Sequence, residues 1–257
     1  MSFTINLNST DVSATGEADN FRVNFKPPLF FGAGKYECAL VSANVWNSIA
    51  NVSATEYNNA RFSYRVGGGP LINIDIPEGT YSIVDINAAV FQGLVNNGDE
   101  GPAGTPSIEL VPNFNTLKIE IVINDPAFQV ELNTSNFYKL LGFSDAQAAV
   151  PLIVSTVGDN VANINNDINK LLITTTFLDN SGASYDGATT SNVLYSFVFS
   201  NPPGANEDIT PAERLYIPMN NAKQISYVQM QIKDNLNRDV DFRGEPVSYL
   251  LHLRQVK

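Results

Sequence analysis

The sequence is poor in the residues that most often carry catalysis, with one histidine and one cysteine in 257 residues. His252 would have to be the base of any Ser-His or Cys-His system, yet it alternates with Leu251 and Leu253 as a strand residue does. No nucleophile-elbow motif accompanies it. A single histidine cannot form a metal site built from several imidazoles. Together with the single cysteine it still supplies too few ligands for a zinc site. The pattern favours a structural or interface role for His252.

Charge and disulfide capacity are also low. Charged residues make up 16% of the chain, the formal net charge is −11, and neither end carries a run of Lys or Arg. Such a chain repels a polyanion, so we predict no direct nucleic-acid binding. Cys38 has no partner for an intrachain disulfide, which is typical of a protein that folds in a reducing compartment. Its position in an alternating run predicts an inert, buried thiol.

Long hydrophobic runs are missing as well. No uninterrupted apolar stretch reaches the roughly 18 to 20 residues that cross a bilayer, so we predict no membrane span. The first eight residues alternate Phe3, Ile5 and Leu7 with polar residues and lack the positive n-region of a signal peptide. They are predicted to form a strand.

What the chain does contain is short runs of alternating or apolar residues from end to end, typical of a β-sandwich or barrel. A chain of this length fits one domain, which we predict over residues 1–257. The runs are Phe3–Leu7, Phe21–Phe25, Tyr36–Val45, Arg61–Val66, Leu71–Ile76, Leu117–Ile123, Phe128–Leu132, Lys170–Leu178, Asn192–Ser200, Leu215–Met219, Tyr227–Lys233 and Val247–Arg254.

Turn residues between these runs predict three strand pairs. A Gly-Gly-Gly-Pro stretch at 67–70, an Asn-Asp-Pro turn at 124–126 and a polar turn at 234–237 each separate two runs. Two helices interrupt the strands. One begins at Ser82, which forms a capping-box pattern with Asp85, and the other covers 136–141 and ends at Gly142. We expect the surplus strands and two loops, 98–106 and 179–191, to be insertions.

Carboxylates are the remaining candidates for chemistry. A glycoside hydrolase needs a carboxylate pair, but each candidate lies on the polar side of an alternating run, where a solvated face is the ordinary explanation. The candidates are Glu37, Asp75, Glu120 and Glu131. The Gly-rich loop 179–187 offers oxygen ligands to calcium but lacks the spacing of a calcium loop. We therefore predict that the chain is not an enzyme and holds no cofactor or metal.

Three residues are candidates for a structural or interface role. Trp46, the only tryptophan, ends a run that is apolar on both faces, and it is either a core residue or an interface anchor. Arg243 and Glu245 flank a glycine beside the last strand. An ion pair between them would brace the corner or contact a neighbouring subunit, and the simpler alternative is an exposed pair of little consequence.

Several of these segments occur in an order that resembles the minor capsid, or penton, proteins of Polinton- or Maverick-type elements and of adintovirus- and virophage-like viruses. The carboxy-terminal block 223–256, with its Val-Asp-Phe-Arg-Gly-Glu and Leu-His-Leu-Arg stretches, carries most of the resemblance. The other segments are Tyr36–Ser42, Trp46–Ile49, Ile76–Tyr81, Asp85–Asn87, Leu140–Phe143 and Leu215–Pro218.

The resemblance implies an all-β fold, a single jelly-roll β-sandwich with two short helices and loop insertions. It also implies a homopentamer at the fivefold vertices of an icosahedral double-stranded DNA virus or virus-like element, beside a double jelly-roll major capsid protein. The expected location is the virion, after synthesis in the host cytoplasm or nucleus, and a vertex spike or receptor is a further expected partner. The alternative is a β-sandwich module that binds carbohydrate or protein.

Overall fold

The computed structural model describes residues 2–11, 13–102, 105–178, 192–220 and 223–256. The strands in this part of the chain are β1 Ser2–Asn8, β2 Ala14–Glu17, β3 Asn20–Phe30, β4 Tyr36–Trp46, β5 Arg61–Val66, β6 Ile72–Asp75, β7 Ile108–Asn113, β8 Lys118–Ile123, β9 Phe128–Glu131, β10 Thr156–Val157, β11 Leu171–Thr175, β12 Val193–Phe197, β13 Asn206–Ile209, β14 Ile217–Pro218, β15 Gln224–Asp234 and β16 Ser248–Gln255. The helices are α1 Ile83–Asn97, α2 Phe137–Leu140 and α3 Asp145–Ala148, with a 3-10 turn at Leu132–Thr134. The predicted all-β class is confirmed.

The chain divides into two compact units. The first unit comprises Met1–Ile49 and Ile168–Lys257, and the second unit comprises Ala50–Asp167. Each unit has its own hydrophobic core. The single domain over residues 1–257 stays a prediction.

Two antiparallel five-stranded sheets form the first unit. Sheet I has the order β1-β16-β4-β13, with β14 also pairing with β4, and sheet II has the order β12-β11-β15-β3-β2. The two sheets meet in one core, where the ring of Phe21 from sheet II stacks on that of Tyr249 from sheet I at a centroid distance of 5.9 Å. The unit is therefore a two-layer sandwich, the arrangement that buries one face of each sheet.

The last two long strands, β15 and β16, do not form the predicted hairpin. β15 pairs with β3 and β11 in sheet II, whereas β16 pairs with β1 and β4 in sheet I. The polar turn does follow β15, and the Asp234 carboxylate accepts hydrogen bonds from the backbone N–H groups of Leu236 and Arg238 at 2.8 Å. Beyond that turn the chain passes to the other sheet, so the buried faces of the two strands meet across the core.

Strand β4 has partners along both edges and is buried on both faces near its start. It pairs with β16 on one side and with β13 and β14 on the other, and Cys38, Ala39 and Leu40 are all buried. Burial on both faces is one of the two explanations that the apolar run Tyr36–Val45 allows, the other being contact with a neighbouring subunit. Burial raises the pKa of the Cys38 thiol to about 12, which keeps it protonated and unreactive as expected.

The second unit contains two three-stranded sheets and the three helices. The sheets have the orders β10-β8-β7 and β6-β5-β9. The predicted hairpin of β5 and β6 across the glycine turn is confirmed. The predicted pairing of β8 with β9 is wrong, because β8 pairs with β7 and β10 while β9 pairs with β5. Strand β7, which contains Pro112, was not anticipated.

The helices of the second unit begin and end near the predicted signals. The hydroxyl of Ser82 accepts a hydrogen bond from the Asp85 backbone, and Gly98 closes α1 with a φ of 75°. Gly142 follows α2 with a φ of 82°, and Phe143 after it is buried. Helix α3, which begins after Ser144, was not predicted. Within the residues described, no helix is both long and apolar enough to cross a bilayer.

Candidate assembly surfaces

Trp46 and the Arg243–Glu245 corner lie near each other in the first unit. Trp46 is partly buried at the end of β4, opposite Asn206 of β13. Two residues later, the hydroxyl of Ser48 donates a 2.8 Å hydrogen bond to the carbonyl of Phe242, directly before the corner. The predicted candidates therefore share one end of sheet I, a proximity that their separation in sequence did not indicate.

Backbone contacts define the corner itself. Arg243 adopts a φ of 57° and its N–H donates to Oδ1 of Asp241 at 2.6 Å, while the N–H of Glu245 donates to the carbonyl of Phe242 at 3.0 Å. The side chains of Arg243 and Glu245 are exposed, and no ion pair found in the described part of the chain joins them. Bracing and intersubunit roles for Arg243, Glu245 and Trp46 stay predictions.

His252 belongs to a polar and aromatic cluster on sheet I. Its Nδ1 lies 2.8 Å from the hydroxyl of Tyr216, and the guanidinium of Arg254 lies 3.4 Å above the Tyr216 ring. Arg254 also forms an ion pair with Glu37 of β4 at 2.9 Å. Partial burial, together with Arg214 and Arg254, lowers the pKa of His252 and favours its neutral form. The imidazole thus joins β16 to the segment before β14.

Three of the four carboxylates weighed as hydrolase candidates form ion pairs with arginine. Glu37 contacts Arg254, and the other two pairs are Asp75–Arg61 at 2.7 Å and Glu131–Arg65 at 2.8 Å. These residues therefore link neighbouring strands. The calcium candidate at 179–187 lies outside the described residues. Among the residues described, no group of three or more metal-ligating side chains could hold a metal ion.

The second unit exposes an apolar strip that sequence reasoning missed. The strip consists of Phe114, Leu117, Val150, Ile153, Val154, Val157 and Val161, with exposures from 48% for Val157 to 74% for Phe114. Its signal in the sequence is the absence of any charged residue from 146 to 158.

Backbone hydrogen bonds hold this strip in place. Leu152 and Val130 exchange two hydrogen bonds of 2.8 and 2.9 Å, β10 pairs with β8, and the N–H of Ala162 donates to the carbonyl of Leu117 at 2.9 Å. The segment 150–162 is therefore bonded to both three-stranded sheets of the unit. Several exposed apolar side chains on one such segment make it a candidate surface for another molecule to cover.

Comparison with known structures identifies the fold. A crystal structure of the mavirus penton protein superposes with a TM-score of 0.52 at 10% sequence identity, and the match covers 100% of both chains. This chain has the fold of the mavirus penton protein. The predicted jelly-roll class and the resemblance to penton proteins are thereby confirmed at the level of the fold.

A second similar structure comes from the cryo-EM structure of the Sputnik virophage. One of its chains matches with a TM-score of 0.47 at 11% identity, covering 99% of this chain and 98% of that chain. No protein-family model and no curated protein matches the sequence. The backbone of this chain therefore resembles that of the mavirus penton protein, although the two sequences share little identity.

Proposed function

We propose that this protein is a penton, a structural minor capsid protein that forms homopentamers at the fivefold vertices of an icosahedral double-stranded DNA virus or virus-like element. The observation that supports this most directly is the end-to-end match with the mavirus penton protein. The order of the penton-like sequence segments supports it independently. In this proposal the chain acts by assembling and carries out no reaction.

A closed ring of five requires each copy to present two different, complementary surfaces to its neighbours. The apolar strip of the second unit is a candidate for one of them, because neighbouring copies would remove its side chains from water. A chain with a formal net charge of −11 repels its own copies in general. At the uncharged stretch from 146 to 158, two copies would meet with little of that repulsion, because neither contributes a charged side chain there.

The proposal includes partners and a location. The pentamer would sit in a shell of double jelly-roll major capsid proteins, in the virion, after synthesis in the host cytoplasm or nucleus. A vertex spike or a receptor would contact its outer side. Trp46, Arg243 and Glu245, at one end of sheet I, are proposed contact residues within this assembly.

Size-exclusion chromatography with native mass spectrometry tests the ring. We expect a species of five times the 28.0 kDa chain mass, present at once or formed as concentration rises. Val154→Asp places a charge in the apolar strip and should weaken this species. Val84→Asp is the matched control, since Val84 on α1 is 63% exposed and Val154 is 64% exposed.

One result would contradict the penton assignment, and another would contradict only the role given to the apolar strip. A monomer that persists at the highest attainable concentration, alone and with the major capsid protein, contradicts the penton assignment. A pentamer that Val154→Asp and Val84→Asp leave equally intact supports the penton assignment but removes the apolar strip from the subunit contact.

A further inference from the structure

A polar cleft lies in the second unit, and its lining includes Ala148 and Ala149, which directly precede Val150 of the apolar strip. One part has a volume of 420 Å³ and is lined by Ala54, Asn58, Ala60, Arg61, Asp75, Ile76, Thr134 and Ser135. The other part has a volume of 240 Å³ and shares three of those residues, Asn58, Thr134 and Ser135. The two parts therefore adjoin at these residues, and the larger part alone reaches the range of about 300–1,000 Å³ usual for ligand sites.

Hydrogen bonds between distant parts of the chain shape the floor of this cleft. The carbonyl of Asn58 accepts from the N–H of Asn136 at 2.7 Å, and the side-chain amide of Asn136 donates to the carbonyl of Tyr57 at 3.0 Å. The hydroxyl of Ser135 donates to the carbonyl of Arg61 at 2.7 Å. The loop before β5 and the segment before α2 are thus held together, so the cleft is formed before any ligand arrives.

Amides that point to solvent line this preformed cleft. Asn58 and Asn133 are exposed, and no hydrogen bond found within the described chain uses their side chains. A side-chain amide offers two donors and an acceptor in one plane. Two such groups along one groove match a ligand that carries many alternating donors and acceptors.

The charges in the cleft are already paired. Nε of Arg61 lies 2.7 Å from Oδ1 of Asp75, and the hydroxyl of Tyr138 donates to Oδ1 of Asp145 at 2.6 Å. An anionic ligand would meet two carboxylates on a chain of net charge −11, and a metal ion would find no cluster of ligating side chains in the described residues. The remaining donors and acceptors suit a neutral ligand, whose hydroxyl groups donate to carboxylates and accept from amides.

We propose that this cleft binds a neutral saccharide. Its amides and its ion pair would bond the sugar hydroxyls, while the exposed Ala54 would contact a C–H face of the ring. The inference goes beyond the proposed structural role and does not depend on it, since every lining residue belongs to the second unit of one chain.

A glycan array tests the site directly. The labelled protein is applied to immobilised neutral oligosaccharides of hexoses and N-acetylhexosamines, with sialylated and sulfated oligosaccharides printed beside them. We expect binding to neutral members of the array. Binding to the acidic members alone, or to none at all, would overturn the inference.

Variants then tie binding to the cleft. Asn58→Gly combined with Asn133→Ala removes both amides, and the glycine suits the positive φ of 51° at position 58. Loss of the hydrogen bonds to two amides should weaken binding about tenfold or more, as titration of the best array ligand would measure. The matched control is Asn165→Ala combined with Asn169→Ala, since both of these asparagines are exposed residues outside the cleft.

Asn133→Arg provides a second test, because it fills the cleft from an exposed position without touching the core. Binding that survives this change and the double amide variant would refute the site. The oligomeric state is measured on the same samples. Neutral-glycan binding by a persistent monomer would support the saccharide site and contradict the penton proposal. A pentamer that binds no glycan would support the penton proposal and contradict the saccharide site.

Discussion

Replacing Tyr249 by phenylalanine should stabilise the protein, although most substitutions in a core destabilise it. Tyr249 is 1% exposed in the sandwich core, and its hydroxyl has no hydrogen-bond partner among the described residues. Burial, with a smaller contribution from Asp19, raises its pKa well above the usual value, so the group is an uncharged phenol in the folded state. The ring stacks on Phe21, and phenylalanine keeps that contact.

The expected magnitude follows from the isolated hydroxyl. Burying a hydroxyl without a partner costs about 1–3 kcal/mol, and Tyr249→Phe removes that cost while keeping the ring. A gain of about 1 kcal/mol would raise the melting temperature by about 2–4 °C for a chain of this size. Urea unfolding, followed by the fluorescence of Trp46 in the same unit, measures the change in unfolding free energy.

Tyr64→Phe is the matched control, because Tyr64 is equally buried but its hydroxyl is bonded. That hydroxyl donates to Oδ2 of Asp99 at 2.7 Å and accepts from the amide of Asn97 at 3.1 Å. Loss of these two bonds should destabilise the second unit by about 0.5–1.5 kcal/mol in unfolding followed by circular dichroism, because Asn97 is exposed and Asp99 only partly buried, so water can replace the hydroxyl. If Tyr249→Phe destabilises as much as Tyr64→Phe, the reasoning from the unbonded hydroxyl is refuted.

Three further predictions concern backbone strain and pH. Gly142→Ala should cost about 1–2 kcal/mol for its positive φ and about 1–3 kcal/mol more for overpacking, because the new Cβ would lie 2.5 Å from the carbonyl oxygen of Asn160. Gly98→Ala, with a similar φ and open space, should show only the first cost in urea unfolding. Burial raises the pKa of Asp19, so stability should fall as pH rises through that pKa, and Asp19→Asn should raise the melting temperature at pH 7 but not at pH 3. The pKa of His252 is lowered in the folded state, so the protein should lose stability as pH falls below about 6.5. His252→Gln should abolish this loss in melting curves. A loss of the same size in the variant would contradict the role given to His252.

The strands could be predicted from the sequence far better than their partners. Period-two alternation located β15 and β16 because each buries one face, but it carries no information on which sheet receives a strand. A polar turn between two runs suggested a hairpin in both wrong cases. In each case the turn residues are compatible with a tight reversal and equally with a connection to another sheet, and only tertiary packing decides between them.

The candidate surfaces were predicted less completely than the strands. Trp46, Arg243 and Glu245 were chosen by residue type, and their common position at one end of sheet I depends on the Ser48–Phe242 contact, which spans 194 residues. The apolar strip was missed because its residues, interrupted by Pro151, match neither a strand nor a helix period. Exposure of an apolar side chain is a tertiary property, so the sequence could indicate only an uncharged segment.

The first and last strands lie side by side in sheet I, with Ser2 opposite Arg254 and Asn8 opposite Ser248. During synthesis, strand β1 therefore leaves the ribosome long before its partner exists. The second unit is continuous in sequence from residue 50 to 167. It can therefore fold on the nascent chain before strand β16 of sheet I has been synthesised. Until β16 is made, the apolar residues of β1 have no sheet to join, because β16 lies between β1 and β4, so the sandwich can close only after residues 248–255 have been added.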